Sequence, residues 1–222
     1  YDLATTAGGY QQMAGDYIYY DGRTSKLSEG SWGIIRVHDK LQKDLKVLPG
    51  NEKPRKSAKQ LCPKGAPVKN FSVVAINTSL KFNPNAEDEI EVDFERKLQL
   101  LNADAKIFVL EGEVAKAATK GHAPHPLTLR ANIGECIKVK LTNRLKKGNA
   151  SLHANNIAFD PLDSQGINVG NNPGDQTVKP GKSKVYTFYA HEDYNINGAL
   201  LWDFGNLTGN VRDGMLGGII IG

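Results

Sequence analysis

Five histidines, two cysteines and two methionines carry the nitrogen and sulfur of this 222-residue chain that could ligate a metal. His122 and His125 lie in Gly121-His122-Ala123-Pro124-His125-Pro126, a Pro-punctuated loop. There they either form an adventitious Cu(II) or Zn(II) site or stand in solvent. His191, in Ala190-His191-Glu192-Asp193, is a further candidate ligand in a surface turn, and His38, after Val37, reads as solvated. His153 is followed two residues on by Asn155 rather than by a second imidazole. Cys62 and Cys136 lack the C-x-x-C spacing of a zinc site. Their even number suits one disulfide in an oxidising compartment, with two reduced core thiols as the alternative. Asp160, Asp163 and Asp175 fall in an Asn- and Gly-rich stretch, 159–176, that reads as a Ca²⁺ loop or as hydrogen-bonded turns. Its spacing matches no EF-hand.

Other chemistries lack their residues. The chain has no Gly-x-Ser-x-Gly elbow, P-loop or dinucleotide fingerprint. Glu87-Asp88-Glu89 is consecutive on a polar stretch, which suits a solvated surface better than a glycosidase pair. Tripeptides such as those beginning at Asn77, Asn149 and Asn206 fit the N-glycosylation pattern, which is short and common.

The hydrophobic fraction of 40% supports a packed core, and the formal charge of +4 is a mild excess. Lysines cluster in Lys40–Lys64 and Arg144–Lys147. The first cluster carries Pro49, Gly50 and Pro54 with no aromatic residue between the lysines, so it reads as a solvated linker and no nucleic-acid partner is expected. No apolar run approaches the eighteen residues of a membrane span; the most apolar, Met215 to Ile221, is strand length.

The elements that must position these groups are strands. Asp16–Tyr20, Trp32–Val37, Phe71–Ile76, Lys106–Leu110, Leu127–Arg130, Cys136–Leu141, Lys184–Tyr189 and Gly218–Ile221 are short and rich in β-branched or aromatic residues. In Cys136–Leu141, Ile137, Val139 and Leu141 share one face with lysines opposite. Turns such as Lys179-Pro180-Gly181-Lys182 separate the strands. Glu87–Asn102 is the exception, read as a short helix or a long polar excursion. The pattern predicts an all-β fold, an antiparallel Greek-key β-sandwich.

Several segments resemble the multicopper oxidase family. "PLTLRANIGECIKVKLTN" (Pro126–Asn143) resembles the strand–turn–strand P-x-T-x-R-A-x-x-G-D-x-x-x-V-x-x-x-N that opens a cupredoxin domain there. The family's next strand carries Ser-x-His-x-His, which here reads Ser151-Leu152-His153-Ala154-Asn155. "TVKPGKSKVYTFYA" (Thr177–Ala190) and "GALLWDFGNLTGNVRDGMLGGIIIG" (Gly198–Gly222) resemble V-x-P-G-x-x-x-x-Y-x-F-x-A and the closing G-x-x-W-Y-H-x-H … G-L-x-G-x-x-I-V. "AGDYIYYDGRTSKLSEGSWGIIRV" (Ala14–Val37) is similar to the end of a preceding domain, G-D-Y-x-Y-H-C-H … H … G-M-W-G-x-x-R-V.

The resemblance implies terminal strands of one cupredoxin-like domain in 1–39, a linker in 40–66 and a cupredoxin-like domain in 67–222. Copper is then expected in the parent protein but not held by this chain. Tyr20-Asp21-Gly22 stands at the family's His-Cys-His, and Asp203-Phe204-Gly205 where His-x-His is expected. His153 is the one vestigial copper position, and Met215, without Cys and His, reads as core. A structural disulfide between Cys62 and Cys136 is preferred to copper ligation. The function implied is a ligand-poor, scaffolding section of a secreted, periplasmic or cell-surface oxidase. Such an enzyme oxidises a substrate such as a metal ion and reduces O₂, with the remaining cupredoxin domains as partners. The rival reading is a non-enzymatic extracellular assembly protein, partnered by identical chains through strand addition at the Gly9–Tyr20 edge. A copper carrier using the loop histidines is a third reading.

Overall fold

A computed structural model of the chain describes residues 12–46, 57–81, 89–93, 96–99, 101–119, 125–192, 197–206 and 208–222. In chain order the first strands are β1 (Gly15–Tyr20), β2 (Trp32–Val37), β3 (Val68–Lys81), β4 (Glu89–Asp93), β5 (Arg96–Gln99) and β6 (Leu101–Leu110). They are followed by β7 (Leu127–Ala131), β8 (Cys136–Asn143), β9 (His153–Ala154), β10 (Ala158–Phe159), β11 (Ser183–Tyr189), β12 (Gly198–Trp202) and β13 (Leu216–Ile221). Two one-turn helices, α1 (Thr24–Ser28) and α2 (Val114–Ala117), interrupt them.

Strands β10-β11-β8-β3-β6 form one sheet and β7-β13-β12-β9 the other. The pairs β3–β8 and β7–β13 are parallel, and the remaining pairs in these sheets are antiparallel. This is the cupredoxin-like β-sandwich that the sequence predicts, corrected in one respect: it is not wholly antiparallel, since β3–β8 and β7–β13 run parallel. Alternation places its core: Ile137, Val139 and Leu141 of β8 are fully buried with Leu129, Leu201 and Ile219 of the second sheet, while Lys138 and Lys140 stay exposed. Lys179-Pro180-Gly181-Lys182 forms the turn before β11. The Lys182 amide donates to the Lys179 carbonyl at 3.0 Å, and Gly181 takes the positive φ (+76°) that a type II turn needs at its third position.

One segment also departs from expectation. The described part of Glu87–Asn102 is neither helix nor open excursion. β4 and β5 pair antiparallel with Ile90 opposite Leu98, and β6 already begins at Leu101. Glu89-Ile90-Glu91-Val92-Asp93 has the strand period of two, which the density of charge obscured. Glu87 and Asp88 lie outside the described residues, as do residues 47–56 of the expected linker.

The first segment, β1–α1–β2, is a hairpin in which Gly15–Tyr20 pairs residue by residue with Val37–Trp32. One face joins the sandwich core: Tyr17 is buried with its ring 5.8 Å from that of Phe159, and Ile35 and Val37 pack beside it. Farther along, Cys62 and Cys136 form a disulfide that fixes the approach to β3 against the start of β8. It closes a loop of 74 residues. Such a constraint on the unfolded chain contributes about 4 kcal/mol. The reduced protein should therefore unfold at clearly lower urea, by about 3–4 kcal/mol. An unchanged unfolding free energy on reduction would refute this role.

Candidate functional site

The site grows from a buried carboxylate. Asp16, on the hairpin face turned away from Tyr17, is 2% exposed. Its two oxygens accept from Arg36 Nε (2.7 Å) and one guanidinium nitrogen (2.8 Å), and from the Asn171 amide at 2.6 Å. The Arg36 bonds hold its carboxyl below the usual carboxylate range, against the effect of burial. Gly170 is required beside it, since a Cβ there would run into the Asp16 carboxylate.

Side-chain amides then stand in for a neighbouring strand along β1. Asn172 Oδ1 accepts from the Asp16 amide at 2.8 Å while its Nδ2 donates to the Asp16 carbonyl at 2.7 Å. Gln165 Nε2 donates to the same carbonyl, and its Oε1 accepts from the Ile18 amide, both at 2.9 Å. Gln165 is itself held by Gln176, whose Oε1 accepts from the Gln165 amide at 2.7 Å. The expectation of an open Gly9–Tyr20 edge is corrected over this stretch, because Asp16 and Ile18 are already hydrogen-bonded. Gly9 lies outside the described residues.

At the end of β1 this docking brings Tyr20 onto the sandwich beside residues at the expected ligand positions. The Tyr20 hydroxyl donates to Asn155 Oδ1 at 2.8 Å. His153 is buried, with ring centroids 4.5 Å from Phe204 (stacked), 5.8 Å from Phe159 and 6.1 Å from Tyr20. Tyr20 also meets Phe204 edge-on at 5.3 Å. His153 Nδ1 donates to the Gln165 carbonyl at 2.6 Å, which leaves Nε2 as the lone-pair nitrogen. Beneath the cluster, fully buried Asp203 accepts from the Ser151 amide (2.6 Å), the Asn206 amide (3.1 Å) and Asn210 Nδ2 (2.9 Å).

This donor set does not fit copper. One imidazole is present, and aromatic carbon stacks on its face. Burial pushes the Tyr20 phenol up to about 12, so it stays protonated, and Asn155 Oδ1 is engaged by it. Burial also pushes the His153 imidazole down to about 4, against its bonds to Gln165 and Asn155, so the ring is neutral. Asp203 is pushed up by burial to about 6.

The other candidates are not gathered here. His125 is exposed beside Pro126, His191 is half-exposed with its ring 5.6 Å from Tyr189, and His38 is exposed. His122 lies outside the described residues. Met215 is wholly buried in the core. The three aspartates of 159–176 make local bonds: Asp163 pairs with Lys184 at 2.5 Å, Asp175 accepts from Thr177, and Asp160 accepts from the Leu162 amide. No cluster of three or more His, Cys, Asp or Glu side chains able to hold a metal occurs among the described residues. Sequence reasoning missed Asp16, Gln165 and Gln176, and read Asp203 only as standing at a lost ligand position. For Asp16 the available signal was an acidic residue at a strand position otherwise flanked by apolar neighbours.

No protein-family model matches the sequence, and no curated protein matches it. Among solved structures the chain is similar to a laccase from Botrytis aclada, at 17% identity and TM-score 0.47, covering 71% of this chain and 23% of that one. It is also similar to a multi-copper oxidase from Pseudomonas thermotolerans, at 16% identity and TM-score 0.44, covering 70% and 30%. A third, a multi-copper oxidase from Pediococcus acidilactici, shows 12% identity and TM-score 0.40, covering 69% and 25%. At these identities the likeness is one of fold alone, and the chain spans less than a third of each of these proteins.

The neutral His153 gives a signed pH effect. Between about 4 and its ordinary 6.5, the unfolded chain binds a proton that the folded chain refuses. Its contribution to stability, on the order of 3 kcal/mol, is therefore present above pH 6.5 and lost as pH falls toward 4. His153→Phe should cost about 1–2 kcal/mol at pH 7 through the lost bond to Gln165. By pH 4 the gap should close or reverse in urea unfolding; a gap that stays constant would show that His153 is not held neutral.

Proposed function

We propose that this chain is a scaffolding, copper-free section of an extracellular protein of the multicopper oxidase type. The observation that carries the reading is the packing of Tyr20, His153, Asn155 and Phe204 against one another. The family resemblance assigns copper ligands around these places; here aromatic stacking and a Tyr–Asn hydrogen bond occupy them. A packed cluster of this kind fastens the β1–β2 hairpin to the sandwich, which is a mechanical task and needs no redox group. In a longer protein, such a section would hold ligand-bearing domains at a fixed distance and orientation, and the disulfide suits an oxidising compartment.

The assembly reading keeps one specific support. Among the described strands β2 pairs only with β1, and Tyr19, Trp32 and Ile34 are exposed on the hairpin. Strand addition, if it occurs, would use β2 rather than the Gly9–Tyr20 edge.

Elemental analysis of the purified chain, after equilibration with Cu(II) and gel filtration, tests the proposal. Copper well below one atom per chain is expected, and Phe204→Ala should not raise it. Stoichiometric copper that is lost in His153→Phe would overturn the scaffold reading. Light scattering addresses assembly in the same sample, since a monomer at all concentrations would remove the strand-addition reading.

A further inference from the structure

The hairpin and the loop that receives it enclose a cleft of about 490 Å³, within the range of small-molecule sites. Two kinds of surface line it. The hairpin contributes Trp32 and Ile34, which are 50% and 39% exposed although their strand neighbours Ile35 and Val37 pack on the core. The rest includes Asn149, Thr177 and Asp175, tied into a row. Asn149 Nδ2 donates to Thr177 Oγ1 at 2.8 Å, and the Thr177 hydroxyl and amide both donate to Asp175 Oδ1, at 2.8 and 2.9 Å. Asn168 Nδ2 adds a third bond to the same oxygen at 3.3 Å. The Thr177 hydroxyl and amide are consumed within the row, and Asn149 Nδ2 and Asn168 Nδ2 each spend one of their two hydrogens there. Asp175 Oδ2 and Asn149 Oδ1 are left as acceptors without a partner among the described residues.

We propose that this cleft binds a short neutral saccharide. A pyranose ring has an apolar C–H face that suits a half-exposed indole, and hydroxyls at its rim that donate to fixed acceptors. The alternatives meet the lining less well. A purely apolar ligand would cover the Asp175 carboxylate and remove its water without replacing the hydrogen bonds. An anion would face that carboxylate and an amide oxygen. The row needs no rearrangement on binding, because its internal bonds already fix both acceptors, and this lowers the cost of association.

Titrating the full chain with cellobiose and with N,N′-diacetylchitobiose, by calorimetry and by indole fluorescence, tests the assignment, with free indole as an apolar probe. Saturable binding of at least one disaccharide is expected. It should be lost in Trp32→Ala, kept in Trp32→Phe, and weakened about tenfold in Asp175→Asn, where a charged acceptor is removed. Both side chains are exposed, so each variant should melt close to the unmodified protein, which separates loss of binding from loss of fold. The proposal is overturned if neither disaccharide binds saturably, if only indole binds, or if disaccharide binding survives Trp32→Ala.

Discussion

A carboxylate with almost no contact with water holds the arrangement together. Asp16 needs Arg36 on its own hairpin and the Asn171 amide on the receiving loop, and it obtains both only when the hairpin is seated. An ion removed from water without such partners costs several kcal/mol, so the half-docked state is strongly disfavoured. The same requirement selects Gly170, whose missing side chain leaves room for the carboxylate. Gln165 and Asn172 extend this logic by closing the backbone of β1 with side-chain amides where another strand would otherwise pair, and Gln176 holds Gln165 in place. Tyr20, Trp32 and the cleft lie where they do because this seat fixes the hairpin.

The aromatic cluster shows how the demands of stacking differ from those of a metal site. Metal coordination demands several lone pairs converging on one point, whereas stacking demands flat faces in contact. Phe204 against His153 satisfies the second demand, and a single imidazole among protonated and amide neighbours does not meet the first. The surviving imidazole keeps one of its roles, a hydrogen bond to the Gln165 carbonyl that links β9 to the loop under the hairpin. Burial acts in opposite senses on the two titratable groups here, disfavouring the charged form of each: His153 is pushed down and Asp203 up. Their contributions to the pH dependence of stability therefore oppose one another between about pH 4 and 6.

Much of the fold was legible because burial on one face of a strand writes itself as alternation. Cys136–Asn143 shows this plainly, as does the second strand of the hairpin. Glu89–Asp93 alternates too, but its charged residues outweighed the pattern and suggested a helix or loop. The disulfide was legible as a possibility from the count of cysteines, and the fold brought the pair to a Cα separation of 5.7 Å across 74 residues. The docking network was illegible because its members come from residues 16, 36, 165, 171, 172 and 176. No local period or motif connects such positions.

By itself the sequence determined the β-sandwich, the positions of its turns and the shortage of nitrogen and sulfur ligands, since each follows from residue type and short-range spacing. Only the tertiary structure decided that the hairpin folds back onto the sandwich, that Tyr20, Asn155, Phe204 and His153 meet, and that Asn149, Thr177 and Asp175 line one cleft with Trp32. Those outcomes depend on contacts between residues as many as 156 positions apart, such as Asp16 and Asn172. Hydrogen-bond geometry and close packing choose among such long-range contacts only once the chain is compact.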